Sequence, residues 1–254
     1  MIPLDSRCDA TDYLLGESLM YEISEEDLVR FRSFDSATIF NAISELTPSL
    51  SSGGGRWLPE NYTDGTMRSM MPELGCQVGF AVTTEVTTND PESTALPWDS
   101  YYEVLEKSPK PIMAVMKDVD TRPGRGATFG DNMAAAHRAF GVTGAVVDGT
   151  IRDLDGIREI GLSMWAHGLV PGHGVFNLVA INGSVTVSQL LIHPGDLLVA
   201  DRNGVVKVPL GYGIDTILER CDKILEYEAK LQAATREPGF TAAKWKQARN
   251  KSYA

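Results

Sequence analysis

Between residues 111 and 169 short apolar runs alternate with amphipathic stretches. PIMAVMKDV (111–119), GAVVDG (144–149) and SMWAHG (163–168) are apolar enough for buried strands, whereas DNMAAAHRAF (131–140) and LDGIREIG (154–161) carry apolar residues at helical spacing. In the first of these helices Met133, Ala136, His137 and Phe140 share a side, and Gly141 stands at the usual stopping position. Such alternation predicts parallel strands with crossover helices. After residue 184 the period changes to two: SVTVSQLLI, a PGD turn, DLLVA, an RNG turn and VVKVPL read as antiparallel strands joined by tight turns.

The flanks read differently. Ser24 can cap SEEDLVRFRS, with Glu25, Glu26 and Asp27 complementing its dipole, and DSATIFNAISEL follows with Ile39, Phe40 and Ile43 on one face. The stretch 47–75 holds SLSSGGG and PENYTDG, too many breakers for regular structure, and predicts a loop or lid. GCQVGFAVTTEVTT has the content of a strand pair, SYYEVLEK of a short helix, and TRPGRGATFG of a glycine-rich loop. A long C-terminal helix is marked by Ile214, Ile217, Leu218, Cys221, Ile224 and Leu225. The expectation is one α/β domain over 1–254: helices at 24–46, an insertion at 47–75, a core at 76–210 and a C-terminal helix and tail at 211–254.

Composition narrows the function classes. Of 254 residues 43% are hydrophobic, enough for a sizeable core, and the three cysteines Cys8, Cys76 and Cys221 are too scattered for a disulfide framework or zinc knuckle. No leader or membrane span is evident, so a soluble cytoplasmic protein is expected. The net charge is −11, and the one basic cluster is KWKQARNK near the C-terminus, which argues against nucleic acid as a partner. There is no GxSxG, Walker loop or HExxH.

Two loops carry the candidate chemistry. GRGATFGD and GTIRD leave consecutive strands at their carboxyl ends, where open α/β sheets place ligands, and would bring Asp131 and the pair Arg152–Asp153 to one rim. The amides of Gly130, Asp131, Asn132 and Met133 begin a helix and suit a carboxylate or phosphate. Asp131 could equally be a helix cap, and Arg152–Asp153 an exposed ion pair worth under about 1 kcal/mol. The GxGxxxG spacing of 124–130 is not that of a dinucleotide loop, and His167 and His173, separated by five residues, read as structural or pocket-lining.

The stretch GDNMAAAHRAFGVTGAVVDGTIRDLDGIREIGLSMWAHG, with twenty residues between Asp131 and Arg152–Asp153, resembles the class II pyruvate aldolases. These are typified by 4-hydroxy-4-methyl-2-oxoglutarate/4-carboxy-4-hydroxy-2-oxoadipate aldolase, and regulator of ribonuclease activity A proteins are their relatives. Weaker similarity extends through FDSATIFNAI, GCQVGFAVT and HPGDLLVADRNGVVKVP, over most of 27–230. The resemblance implies an αββα sandwich of the swivelling β/β/α type, assembled as homotrimers or homohexamers. It implies Mg²⁺ or Mn²⁺ on Asp153, a 2-oxo acid carboxylate on the amides of Gly130 to Met133, Arg152 on the oxo oxygen, and Asp131 orienting a water that takes the 4-hydroxyl proton. An acidic residue from a neighbouring subunit, Glu226 or Glu228, would stand near the metal. The activity implied is retro-aldol release of pyruvate, or decarboxylation of oxaloacetate, by a metal-dependent lyase. The alternatives are a non-catalytic regulator of a ribonuclease and a sugar-acid hydratase or dehydratase. The SLSSGGGRWLPENYTDG insertion, the basic TRPGRG loop with Arg122 and Arg125, and the AAKWKQARNKSYA tail depart from the better known aldolases, and the two arginines could either meet a second acidic group or merely solvate their loop.

Overall fold

The computed structural model describes residues 23–47 and 61–250. Its helices lie outside a strongly curled mixed sheet. At the N-terminus, α1 (Glu25–Ser33) starts in a capping box: Asp27 N–H donates to Ser24 Oγ, and Asp27 Oδ2 accepts from Ser24 N–H, both at 3.1 Å. Helix α2 (Ser36–Leu46) is capped by Asp35, which accepts from Thr38 N–H at 2.6 Å. Ile39 and Ile43 of its apolar face are fully buried, as the spacing predicts.

Of the stretch predicted as an insertion, residues 48–60 lie outside the described residues. The rest is packed against the sheet. Tyr62 bridges Val206, β1 (Arg68–Ser69) follows, and Met67 and Met71 are buried.

Residues 75–88 form a single strand, β2 (Gln77–Thr87), where a strand pair is predicted. One edge of β2 pairs parallel with β3 (Ile112–Asp118). The other takes two antiparallel partners in succession, β10 (Leu197–Asp201) along residues 77–80 and β7 (Asn177–Ile181) along 84–87. Gly79 makes no turn there. A Cβ on it would lie 2.7 Å from the Ile112 carbonyl carbon, so glycine admits the neighbouring backbone.

The predicted alternation follows. Helix α3 (Trp98–Lys107) precedes β3, and the loop predicted at 121–130 ends in a short strand, β4 (Ala127–Phe129). Next come α4 (Asp131–Ala139), β5 (Val142–Ile151), α5 (Leu154–Ile160) and β6 (Ser163–Leu169). Strands β2, β3, β5 and β6 are mutually parallel. Strand β5 does not end at Gly149 but runs on to Ile151, because β4 and β6 pair with Thr150 and Ile151 on its two sides.

SVTVSQLLI is a separate hairpin, β8 (Val185–Val187) and β9 (Leu190–Ile192), turning at Ser188 and Gln189, both with positive φ. Strand β10 then pairs with β11 (Gly204–Val208), and the chain closes with α6 (Ile214–Thr235) and α7 (Ala242–Asn250). Ile217, Leu218, Cys221 and Ile224 of α6 are buried, while Leu225 is exposed.

The main sheet has the order β1-β6-β5-β3-β2-β10-β11. It curls until its two halves face one another. Trp165 on β6 is buried with Leu198 and Ala200 of β10, and its Nε1–H donates to the Asp201 carbonyl at 2.6 Å. The hairpin closes this interior with Val185, Val187, Leu190 and Ile192. Alternate residues point outward into two further cores: Ile112, Ala114 and Met116 meet the α3, α4 and α5 side, while Leu197 and Val199 meet α1, α2 and α6. Two sheet walls between two helical layers is the predicted αββα architecture.

Candidate functional site

The β4–α4 junction and the β5–α5 junction converge at the carboxyl end of the parallel strands. Arg152 N–H donates to the Phe129 carbonyl at 2.9 Å, which ties the second junction to the first. Between them opens a hollow of about 340 Å³ whose lining includes Gly130, Asp131, Asn132, Met133 and Arg152. Tyr102, Phe129, His173 and Phe176 complete much of its wall.

Asp153 does not line the hollow itself. Its Oδ2 lies 3.2 Å from Arg152 Nε, and both side chains are a little over one-third exposed. The residue caps α5 with φ 58, a left-handed backbone that is uncommon outside glycine and turns the carboxylate back towards β4. Glycines make the room. A Cβ on Gly130 would lie 2.8 Å from Asp153 Oδ2 and 3.3 Å from Arg152 Nε, and a Cβ on Gly156 would lie 2.9 Å from Asp131 Cβ and Oδ2.

The first turn of α4 is arranged differently from a plain cradle of amides. Gly130 is the residue at the cap position, and Asp131 stands one place inside the helix. Asn132 N–H donates to Asp131 Oδ1 at 2.6 Å, so that amide is occupied by the aspartate and orients its carboxylate. The N–H groups of Asp131 and Met133 are two that the helix itself cannot satisfy, and they can serve an anion.

A buried pair holds this turn from behind. His137 Nδ1 is 2.7 Å from the Met133 carbonyl and must donate to it, so its Nε2 accepts from Tyr101 O–H at 2.8 Å. Burial pushes the His137 pKa down to about 4, and burial pushes the Tyr101 hydroxyl up, which keeps both groups neutral at ordinary pH. The helical spacing places His137 on the apolar face, but its partner on α3 is not visible in one dimension. Phe176 was missed for a similar reason: it has φ 56 and stacks on Trp98 at 4.7 Å, a contact made through a loop of no clear pattern.

Other predicted candidates are distributed elsewhere. His173 lines the hollow, but His167 does not: its Nε2 lies 3.0 Å from Asp148 Oδ1 and 2.9 Å from Ser188 Oγ, at the tip of the β8–β9 hairpin. Burial works against the Asp148 charge, yet hydrogen bonds from His167 and Lys117 outweigh it and bring the pKa down to about 2. Glu226 and Glu228 lie on α6, which packs on α2 and not on the helices of the hollow. Arg122 and Arg125 border a separate hollow.

The donor set constrains any metal. Among the described residues no three His, Cys, Asp or Glu side chains cluster for one, so an ion here would rest on one or two carboxylates and keep water in its other positions. The Asp153 carboxylate, a hard and partly exposed oxygen donor, fits Mg²⁺ or Mn²⁺ on those terms. No helix among the described residues is long and apolar enough to cross a membrane.

Comparison with known proteins bears on this geometry. A protein of Methanocaldococcus jannaschii, uncharacterized, is 28% identical over 155 residues, covering 61% of this chain and 70% of that one. A Photobacterium profundum protein named "Putative 4-hydroxy-4-methyl-2-oxoglutarate aldolase" is 35% identical over 82 residues, 32% of this chain and 50% of that one. The matched stretch thus spans about half the length of that relative. Among solved structures, Streptomyces coelicolor RraAS2, described as an unusual member of the RNase ES inhibitor RraA protein family, superposes with a TM-score of 0.61 at 24% identity. That superposition covers 84% of this chain and 98% of that one, which establishes the shared fold. A family model described as RraA-like, aldolase/RraA, matches residues 47–207, more than half of the sequence, and the chain belongs to that family.

Proposed function

We infer that the protein is a divalent-metal-dependent carbon–carbon lyase acting on a small 2-oxo acid. One observation carries the reading: Asp131 and Arg152, with twenty residues between them in sequence, face a single hollow at the start of α4, with Asp153 beside the arginine. Membership of a family that includes aldolases supports it.

The chain's own groups divide the work. The Asp131 and Met133 amides, backed by the α4 dipole, bind the substrate carboxylate. Arg152 donates to the 2-oxo oxygen and holds it in plane. Asp131, oriented by the Asn132 amide, accepts the proton of the 4-hydroxyl through a water; the C3–C4 bond breaks, a carbonyl compound leaves, and its electron pair passes to the 2-oxo oxygen as an enolate. Arg152 stabilises that charge as it develops, and protonation at C3 gives pyruvate. With oxaloacetate the departing group is CO₂, and no hydroxyl proton need be removed. A divalent ion on Asp153 would supply Lewis acidity at the same oxygen. Tyr102, Phe129 and Phe176 limit water around the reacting bond.

The test is pyruvate release from a panel of 4-hydroxy-2-oxo acids and from oxaloacetate, with Mg²⁺ and with EDTA. Metal-dependent pyruvate is expected. Release of none from any substrate would falsify the reading and leave regulation of a nuclease, which needs a docking surface and no turnover, as the role to pursue.

A further inference from the structure

Beside the candidate site lies a second hollow of about 490 Å³, bordered by Asn89, Arg122, Pro123, Gly124 and Arg125. Arg125 is two residues from Ala127, which lines the first hollow, and the intervening Gly126 lies against His173, another residue of that wall. The two spaces are therefore bordered by neighbouring residues of one loop.

The loop that carries the arginines is held with unusual thoroughness. Buried Asp118, at the end of β3, accepts from Gly124 N–H at 2.7 Å and from Asp120 N–H at 3.0 Å. Asp120 in turn accepts from the Thr87 hydroxyl and, at 2.9 Å each, from the Thr88 amide and hydroxyl. On the other side the Thr150 hydroxyl lies 3.2 and 3.1 Å from the Gly124 and Gly126 carbonyls. Both nearby carboxylates are thus taken up in fixing backbone and hydroxyl groups. Among the described residues neither Arg122 nor Arg125 forms an ion pair, and both are exposed.

In a chain of net charge −11, two exposed arginines that border one hollow on a fixed loop, with no ion-pair partner among the described residues, offer donors to an anion. Solvation of a loop needs neither the anchoring nor the fork-shaped donors that match a carboxylate or phosphate. We propose that Arg122 and Arg125 form a second anion subsite, which takes an acidic group at the far end of the molecule whose 2-oxo acid end enters the Asp131–Arg152 hollow. The ligand class is a 2-oxo acid bearing a second carboxylate or a phosphate-like group, held at both ends. This rests on the reading above only in taking a 2-oxo acid as the occupant of the first hollow.

Calorimetric binding in Mg²⁺ buffer tests the subsite without turnover. The probes are 2-oxoglutarate, its analogue 2-oxo-4-phosphonobutyrate, and 2-oxobutyrate, whose chain ends before a second acidic group. The wild-type protein is expected to bind at least one of the two diacids about tenfold to a hundredfold more tightly than 2-oxobutyrate, the scale of charge-assisted hydrogen bonds, and the better of them identifies the acidic group. In Arg122→Gln/Arg125→Gln that ratio falls to near one. Equal binding of all three acids by the wild type, or a diacid preference that survives the double substitution, overturns the subsite. Pyruvate release assayed in parallel separates the two readings. Diacid preference without any turnover removes the lyase and leaves the subsite; turnover without diacid preference does the reverse, and binding of no 2-oxo acid removes both.

Discussion

Asp153 Oδ2 and Arg152 Nε lie 3.2 Å apart, and the pair rests against the Cα of Gly130. Two neighbours in sequence, one just past the end of a strand and one capping a helix, are thereby presented to the first turn of a different helix. An ordinary surface ion pair would be worth under about 1 kcal/mol and could point anywhere. This one is aimed by the left-handed backbone of Asp153.

That contact makes Gly130→Ala informative. The φ of Gly130 is −141°, open to any residue, so the backbone is not strained by the change. The new methyl would instead stand 2.8 Å from the end of the Asp153 side chain and displace it. We expect a melting temperature within a few degrees of wild type and at least a tenfold loss of pyruvate release, read by thermal unfolding and a coupled assay. Retained activity would show that the pair's position does not matter.

Asp131→Ala should separate two reactions. Retro-aldol cleavage needs the 4-hydroxyl proton removed, and loss of a positioned base costs typically about 10²- to 10⁴-fold. Oxaloacetate decarboxylation needs no such proton transfer and should change far less. Equal losses on both substrates would assign Asp131 to binding and not to proton transfer.

Arg152→Lys should lower turnover severely, because a point charge does not reproduce a planar donor fork over the oxo oxygen. Asp153→Ala should abolish Mn²⁺ binding, followed by electron paramagnetic resonance, while the far-ultraviolet circular dichroism stays that of wild type, since a rim carboxylate contributes little packing. Loss of structure in Asp153→Ala would return the residue to a structural role.

His137 links the site to acid stability. Its folded pKa, pushed down to about 4 by burial, lies below the ordinary 6.5, so the unfolded chain binds the proton more tightly. The stability attached to neutral His137 is complete above about pH 6.5 and is lost as the pH falls towards 4, by up to about 3 kcal/mol. Urea unfolding at about pH 7 and about pH 4.5 should show a drop in wild type that His137→Gln reduces. The same drop in both proteins would place the sensitivity elsewhere.

Much of this molecule is legible in one dimension. Both N-terminal helices carry their caps at Ser24 and Asp35, and the strand–helix alternation from 111 to 169 needs only local periodicity. Where the reading failed, the partner strand was the missing term. The content of residues 75–88 reads as a strand pair, whereas they form one strand in which the close approach of Ile112 requires Gly79. Likewise Gly149, read as the exit from β5, lies mid-strand with its Cα against Asp118, where a Cβ would be 3.1 Å from the Asp118 Cβ.

Asp131, Arg152 and Asp153 were legible as candidates because two loops at the ends of consecutive parallel strands must share an edge. That conclusion follows from strand geometry and needs no side-chain detail. Only the tertiary structure decided that the Asn132 amide belongs to Asp131, that Tyr101 and His137 brace the α4 turn, and that Arg122 and Arg125 stand on a loop anchored by Asp118 and Asp120. Sequence by itself determined the N-terminal helices and the strand–helix alternation, since backbone preference and the period of apolar positions are local. Which groups meet depends on packing between elements far apart in the chain, and the hydrogen bonds that aim a side chain leave no period to read.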